Sequence, residues 1–467
     1  MITINDIRRL PTAGFMNLES SSARGVSTDS RSVSGGQIFF ALRGENFDGH
    51  KFVSDAIAKG ASCAVVERKW LDQNRDYAQT LPLVVVENTV TALGQLARIH
   101  RRKFDVPVVA VGGSNGKTTT KEMVARVLGK KMKVLKTAGN HNNQIGVPLT
   151  LFQLSRSHEA AVVEIGTNQP GEIARLCEIL LPTGGLITNI GREHLEFFRN
   201  IAGVGKEEGA LFEFLGANNG TAFVNKDDDF VVALSSSVKR RFTYGFTANR
   251  SLRRDMAGRL FGFDAAGRGL FEMKYTRKTE LVRLGVPGIH NAFNAAAAAA
   301  VGFYFGVSAR EIKKALESYR SIEKRMELLK IGGVTILNDT YNSNPDSVTA
   351  AVRWLSMVTS SGRRIVALGD MLELGKAAAR EHREVGKKIA KQKFDYLLTY
   401  GNLAREIAVA ADSRLKAESF EDKSKLIERL MGLVAPGDVV LVKGSRGMKM
   451  EEVVNTLAEK LKTGARH

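Results

Sequence analysis

Cysteine is nearly absent from this chain: 467 residues include two, Cys63 and Cys177. Two cysteines cannot make a disulfide framework, and they fit a reducing compartment such as the cytoplasm. Proline is scarce at 9, which excludes a proline-rich disordered chain. Long apolar runs are missing too. The longest, an Ala-rich stretch from Ala295 to Val301 that runs on to Val307, is too short to span a bilayer. No basic segment followed by an apolar one opens the sequence, so neither secretion nor stable membrane insertion is expected. Helix-turn-helix, zinc-finger and aromatic ribonucleoprotein motifs are lacking, as is a short-period repeat, so neither a nucleic-acid partner nor a solenoid is expected.

Glycine, by contrast, is frequent at 45, which suits many tight strand–helix turns. Lys and Arg number 68 against 49 Asp and Glu, a net charge of +19. Such a surface attracts anions: nucleic acid, anionic membrane, or acidic small molecules such as nucleotides. One concentration stands out between Lys239 and Arg283, with twelve basic residues against four acidic ones; its plain reading is a solvated, basic, strand-rich region. A phosphate-binding motif joined to this charge leaves a nucleic-acid-stimulated NTPase as a rival, which predicts a steeply salt-dependent affinity.

Hydrophobic patterning divides the chain into three α/β blocks, residues 1–88, 89–320 and 321–467. In the first, Ile38–Leu42, Cys63–Val66 and Leu83–Val86 read as buried strands and Phe52–Lys59 as a helix; Thr89–Lys103 is a helix leading into the second. There, Val106–Val111, Ala160–Glu164 and Gly185–Asn189 are apolar runs fit for a parallel sheet. Residues 221–285 read as a β-rich addition, and Asn291–Phe305 and Ala309–Ser318 as helices. The third block repeats the rhythm at Val334–Leu337, Arg364–Gly369, Tyr396–Tyr400 and Val439–Val442. Strands alternating with helices predict doubly wound sheets.

Between the strand ending at Val111 and a helix from Thr118 lies Gly112-Gly113-Ser114-Asn115-Gly116-Lys117-Thr118. Glycines let the backbone fold around phosphate oxygens, and the backbone N–H groups with the helix N-terminus point at the anion. Lys117 then neutralises the β- and γ-phosphates, and the Thr118 hydroxyl reaches Mg²⁺. The usual phosphate loop wants glycine five residues before Gly116, where this chain has Val111, so the loop is shorter. Glu164, at the carboxyl end of a buried strand, faces the crevice where such sheets bind ligands and is a candidate Mg²⁺ ligand beside Thr118.

This shortened loop resembles that of the Mur ligase family, ATP-dependent enzymes of three domains that form amide bonds. Further stretches carry the likeness: Asp339-Thr340-Tyr341-Asn342-Ser343-Asn344-Pro345-Asp346-Ser347, Leu368-Gly369-Asp370-Met371-Leu372-Glu373-Leu374-Gly375 and Lys443-Gly444-Ser445-Arg446-Gly447-Met448. They are most similar to the family members that join D-alanyl-D-alanine to UDP-N-acetylmuramoyl-tripeptide. The resemblance implies a small N-terminal α/β UDP-binding domain, a central phosphate-loop ATPase-like parallel sheet with a β-rich addition, and a C-terminal Rossmann-like domain that binds the dipeptide. It also implies a cytoplasmic monomer using ATP and Mg²⁺ to make an acyl phosphate. A relative that adds a different amino acid, or a folate-polyglutamate-type ligase, shares this chemistry.

Residue roles follow from the same likeness. Gly113, Ser114, Asn115, Gly116, Lys117, Thr118 and Thr119 are expected on the phosphates. Thr118, Glu164, His194 and Glu208 are expected to hold metal, with Lys117, Glu164, His194 and Glu208 as the catalytic set. The family commonly has a carbamylated lysine after the histidine; here Glu208 aligns with it, and Lys206, two residues and about 200° away on a helix, is the rival. His290, Asn291 and Asn294 are candidates for the adenine, although an Asn there also suits a helix cap. Arg325 is expected on the γ-phosphate after domain closure, and Asp339 on ribose, water or metal. Ser30 and Arg31 are candidates for the UDP moiety, Asn140 and Asn143 for the muramoyl group or reacting carboxyl, and Asn342 and Asn344 for the peptide or dipeptide.

Overall fold

The computed structural model describes residues 2–18, 23–44, 47–246, 254–411 and 415–464. Its strands form three sheets that follow one another along the chain. The first runs Gly14–Met16, Leu83–Val86, Cys63–Glu67, Ile38–Phe40, Val26–Ser27 from edge to edge, and only the Gly14–Met16 strand is antiparallel to its neighbour.

The second sheet places Val108–Gly112 between Ala160–Glu164 and Gly184–Ile187, with Val134–Lys136 at one edge. The chain leaves Val108–Gly112 for the far edge, returns, and then crosses to the other side. The carboxyl end of Val108–Gly112 is therefore the topological switch point, where open α/β sheets bind ligands. The strand begins two residues later than its apolar run suggests, since Pro107 has no N–H to give the ladder. Beyond Thr221–Asn225 and Arg240–Gly245, the strands Met256–Phe263, Arg268–Tyr275 and Lys278–Pro287 form an antiparallel meander. The expected β-rich addition thus exists but also holds a helix, Asp229–Leu234, capped by the Asp228 side chain. Arg250 and Arg253 of the basic stretch lie outside the described residues.

The third sheet runs Glu327–Ile331, Val334–Asp339, Val439–Lys443, Arg364–Gly369, Tyr396–Tyr400, Lys416–Phe420, parallel apart from its first hairpin. Its two edge strands escaped the sequence reading because they are half-exposed and mix charged with apolar residues.

One helix joins the first two sheets, and another packs the second. Thr89–Arg101 puts Ala92, Leu93 and Leu96 into the core of the first sheet and Ala97 into that of the second. Ile289–Tyr304 packs on the helix Lys117–Leu128 and on the strands Arg240–Gly245 and Arg268–Tyr275. Ala295 to Ala300 are all buried there, so the alanines serve close packing. The third sheet docks on the second: Trp354, fully buried, donates its indole N–H to the Ala266 carbonyl at 3.1 Å. Among the described residues, no helix is long and apolar enough to cross a membrane.

Candidate active site

The turn after Val108–Gly112 wraps tightly. Gly113 and Gly116 both have left-handed backbones, with φ of 108° and 85°. A Cβ at Gly116 would lie 2.6 Å from the Asn294 amide oxygen, and one at Gly113 would strike Thr188. Only glycine fits either place. The Asn115 N–H donates to the Asn189 side chain at 3.2 Å, and the Asn189 amide returns to the Asn115 carbonyl at 2.8 Å. Ser114 accepts from the Gly191 N–H at 2.8 Å. The loop is thus braced by the segment 188–191 before any ligand arrives.

Lys117 opens the following helix and folds its ammonium back onto the Gly113 and Ser114 carbonyls, 3.5 Å from Glu193. Burial opposes its charge, but Glu193, Glu208 and Glu164 around it hold its pKa above the ordinary lysine value. Thr118, the next residue, donates to Glu164 at 3.1 Å, as its place at the strand edge implied. Glu164 is 1% exposed. Its Oε1 also accepts from Asn142 at 2.9 Å, while Oε2 is buried without a partner.

Glu208 projects from the helix Ile201–Ala217 to the first turn of the loop, where Oε2 accepts the Gly113 N–H at 2.6 Å. Oε1 is buried and unpartnered. Burial pushes this carboxyl up to about 7, with Lys117 opposing the rise and Glu193 adding to it. Lys206, the rival, is exposed. Helical geometry separates the two as expected, and Glu208 is the one that reaches the loop. Glu193 was not singled out from the sequence. It sits in the 188–194 segment beside His194, is 7% exposed, and also has an unpartnered oxygen.

His194 turns toward the third sheet: its Nδ1 lies 2.7 Å from Glu373, and this contact holds Glu373 below the usual carboxylate range. Among the described residues, no three His, Cys, Asp or Glu side chains converge at metal-ligating spacing. The expected four-membered metal set is therefore not one cluster. Thr118 and Glu164 meet, Glu208 is bound to the Gly113 N–H and is not in the cavity lining, and His194 is held by Glu373. Mg²⁺ bound to nucleotide needs only one or two protein carboxylates, since phosphates and water supply the rest. The unpartnered oxygens of Glu164 and Glu193, both lining the cavity, suit that demand.

One cavity of about 720 Å³ is lined by Lys117, Thr118, Glu164, Glu193 and His194 but not by Glu208, and among the described residues its lining comes from position 114 onward. His290, Asn291 and Asn294 line it together. The two amides are committed internally: Asn291 donates to the Pro287 carbonyl at 2.6 Å and Asn294 to Asn291 at 3.0 Å. Neither caps the helix, whose N-cap is Gly288. His290 keeps a buried, unpartnered Nδ1, and burial lowers its pKa to about 4, so it is neutral at pH 7. Of the Thr137–Gly146 stretch, Asn140, Asn142 and Asn143 reach the cavity; Asn143 spends its oxygen on the Ile145 and Gly146 N–H groups, and Asn142 is the one on Glu164.

The third sheet closes the cavity. Asp339 receives the buried Lys443 ammonium at 2.6 Å and the Met326 N–H at 3.0 Å. Lys443 also donates to the Asn342 carbonyl at 2.8 Å. Arg325 lies 3.7 Å from the centre of the Tyr341 ring. Asn344 caps the helix Pro345–Met357 with its oxygen and donates its amide N–H to Asn115 of the loop at 2.9 Å. Arg192 binds Asp346 through its backbone N–H at 2.8 Å and its guanidinium at 2.6 Å. Ser30 and Arg31 do not belong to this cavity. Arg31 is exposed and folded back on Asp29 at 2.7 Å, which draws that carboxyl down to about 2, and the Ser30 carbonyl receives Lys59.

A glycine loop at the switch point, a buried lysine among buried carboxylates, and a third sheet that closes over them fit a three-domain phosphate-loop ligase. Three family models cover most of the chain: "Mur ligase family, catalytic domain" at residues 22–101, "Mur ligase middle domain" at 111–302 and "Mur ligase, glutamate ligase domain" at 324–446. The chain belongs to the Mur ligase family. It is 34% identical to the UDP-N-acetylmuramoyl-tripeptide--D-alanyl-D-alanine ligase of Bacillus subtilis, covering 98% of both chains, and 37% identical to that of Escherichia coli, covering 93% of both. A crystal structure of MurF from Acinetobacter baumannii superposes with a TM-score of 0.89 at 30% identity, covering 98% of both chains. MurF from Thermotoga maritima in complex with ADP gives 0.82 at 28% identity, covering 94% of this chain and 98% of that one.

Proposed function

We propose that the protein joins D-alanyl-D-alanine to UDP-N-acetylmuramoyl-tripeptide, using ATP and Mg²⁺. The observation that carries this reading is the single cavity in which Lys117, the Thr118–Glu164 pair and Glu193 face Arg325 and Asn344 of the third sheet. Full-length likeness to enzymes of that name supports the choice of acceptor.

The loop N–H groups and Lys117 bind the triphosphate and offset its charge. Thr118 and Glu164 would hold Mg²⁺, which would neutralise charge on the phosphate oxygens, with Glu208 supplying further negative charge at the loop. Arg325 reaches the γ-phosphate as its bond to the bridging oxygen of the β-phosphate breaks, the phosphoryl group passes to the tripeptide carboxylate and ADP is left. The acceptor amine then attacks the acyl phosphate, the amide C–N bond forms and phosphate leaves. Asn344 on Asn115 and Asp346 on Arg192 keep the closed arrangement during both steps. Neutral His290 faces the nucleotide base, and Ser30 and Arg31 bind the UDP part on the first domain.

We take the three sheets as the three domains, with boundaries near residues 88 and 320. One chain completes the cavity, so a monomer suffices, and the buried free thiols of Cys63 and Cys177 suit the cytoplasm. The test is phosphate release with ATP, Mg²⁺ and UDP-muramoyl-tripeptide, with and without D-alanyl-D-alanine, and product identification by mass. Release that needs the dipeptide, with the amide product formed, supports the reading. Stimulation by glutamate or by nucleic acid instead overturns it.

A further inference from the structure

Four lysine and arginine side chains line the large cavity: Lys117, Arg325, Lys443 and Arg446. Two are spoken for. Lys117 belongs to the phosphate loop. Lys443 is 2% exposed and divides its donors between Asp339 at 2.6 Å and the Asn342 carbonyl at 2.8 Å. The remaining two guanidinium groups lie near the same ring, Arg325 at 3.7 Å and Arg446 at 5.3 Å from the centre of Tyr341.

Their surroundings differ. Arg325 sits on the junction between the second and third sheets. Its neighbour Met326 is tied to Asp339 by its N–H, and a Cβ on Gly288, beside His290, would lie 3.2 Å from the Met326 methyl group. That is the nucleotide end of the cavity. Arg446 follows the strand Val439–Lys443 in the turn Arg446–Met448, and is exposed to the cavity. One of its nitrogens donates to the Tyr341 hydroxyl at 3.2 Å. The turn beneath it is rigid: Ser445 donates to the Ser343 carbonyl at 3.2 Å and accepts the Leu372 N–H at 2.9 Å. Beside it, Leu372 is 40% exposed and lies over Gly447, where a Cβ would come within 3.0 Å of the leucine methyl. An oriented guanidinium fork next to a small apolar surface is a place for a short aliphatic peptide with a free carboxylate.

We propose that Arg446, aligned by Tyr341 and flanked by Leu372, binds the C-terminal carboxylate of the acceptor dipeptide and makes the enzyme select acceptors by that charge. This rests on the dipeptide-ligase reading above. The dipeptide is a short extended chain, so holding its carboxylate fixes the reach of its amine toward the acyl group. Arg446 is therefore a specificity-determining residue on the acceptor side, distinct from Arg325 on the nucleotide side.

The experiment compares D-alanyl-D-alanine with its C-terminal amide as acceptors, for the unchanged enzyme, Arg446→Gln and Arg446→Lys. The unchanged enzyme is expected to prefer the acid, and Arg446→Gln to raise KM for it about ten- to a hundredfold and to erase the acid-over-amide preference. KM for ATP and for the UDP-linked tripeptide should stay as they are, which also reports intact folding. Arg446→Lys, which keeps the charge but not the fork, should recover the preference in part. If Arg446→Gln keeps both the preference and the KM of the unchanged enzyme, the assignment of Arg446 is overturned while the ligase reading stands. If the unchanged enzyme joins neither acceptor, the ligase reading falls and this inference falls with it.

Discussion

The amide of Asn344 donates to the side-chain oxygen of Asn115 at 2.9 Å, across 229 positions of sequence. One residue of the third sheet thereby touches the loop that the second sheet offers to phosphate, while its own oxygen caps the helix Pro345–Met357. That contact joins the third sheet directly to the glycine loop.

Replacing Asn344 separates its two tasks. Asn344→Ala should cost about 1 kcal/mol of stability through the lost cap and also raise KM for ATP. Asn344→Asp keeps the cap but brings a carboxylate to the phosphate loop, so it should retain the melting temperature and still bind ATP more weakly. Thermal melts and steady-state kinetics on the two variants check this.

Lys117 sits among three buried carboxylates, so its removal should be felt twice. Lys117→Ala should lower kcat about 10²–10³-fold. It should also destabilise the fold at neutral pH, because Glu193, Glu208 and Glu164 lose their common counter-charge. The carboxyl of Glu208 already titrates above its ordinary value. Lys117 holds this carboxyl down, so without it the acid rises further, and the variant's stability deficit should be largest at high pH and shrink as pH falls toward about 7. Denaturant melts at several pH values measure it.

Glu208→Gln keeps an oxygen for the Gly113 N–H but removes the charge. Stability should hold or rise, since a carboxylate no longer has to be buried, while kcat drops about 10²-fold. Because Lys206 is exposed and turned from the loop, activity of the unchanged enzyme should not depend on bicarbonate, and peptide mass spectrometry should find Lys206 unmodified.

Arg192 and Asp346 latch the two sheets. Burial opposes the charge on Asp346, but Arg192 holds its pKa below the ordinary aspartate value. A depressed acid stabilises above its unfolded pKa and ceases to do so as pH falls through the folded one. Closure should therefore weaken only below about pH 4. Asp346→Asn should weaken it at neutral pH. Trp354, buried against Ala266, reports the change: in a Trp70→Phe background its emission should shift to the red on opening.

Much of the fold was legible in order along the chain. Ala160–Glu164, Leu83–Val86, Arg364–Gly369 and Tyr396–Tyr400 have the expected bounds because a strand buried on both faces leaves an unbroken apolar run. Glu327–Ile331 and Lys416–Phe420 had no such run, since an edge strand needs only one dry face. At the site, Lys117, Thr118 and Glu164 were readable from a glycine turn and a strand end. Glu193, Asn142, Asn189, Lys443 and Arg446 were not, although most lie within stretches that the family resemblance marks. A motif shows which segment matters, but not which of its side chains turns inward.

Local sequence thus determined a tight glycine turn that delivers Lys117 and Thr118 to the start of a helix, because positive φ and helix N–H groups are properties of a few adjacent residues. Only the tertiary structure decided that Glu208 meets Gly113, that Asn344 reaches Asn115 and that Arg446 faces the cavity while Lys443 is spent on Asp339. Those facts depend on which burial leaves each polar group paired, and the partners are brought together from 95 to 229 residues apart along the chain.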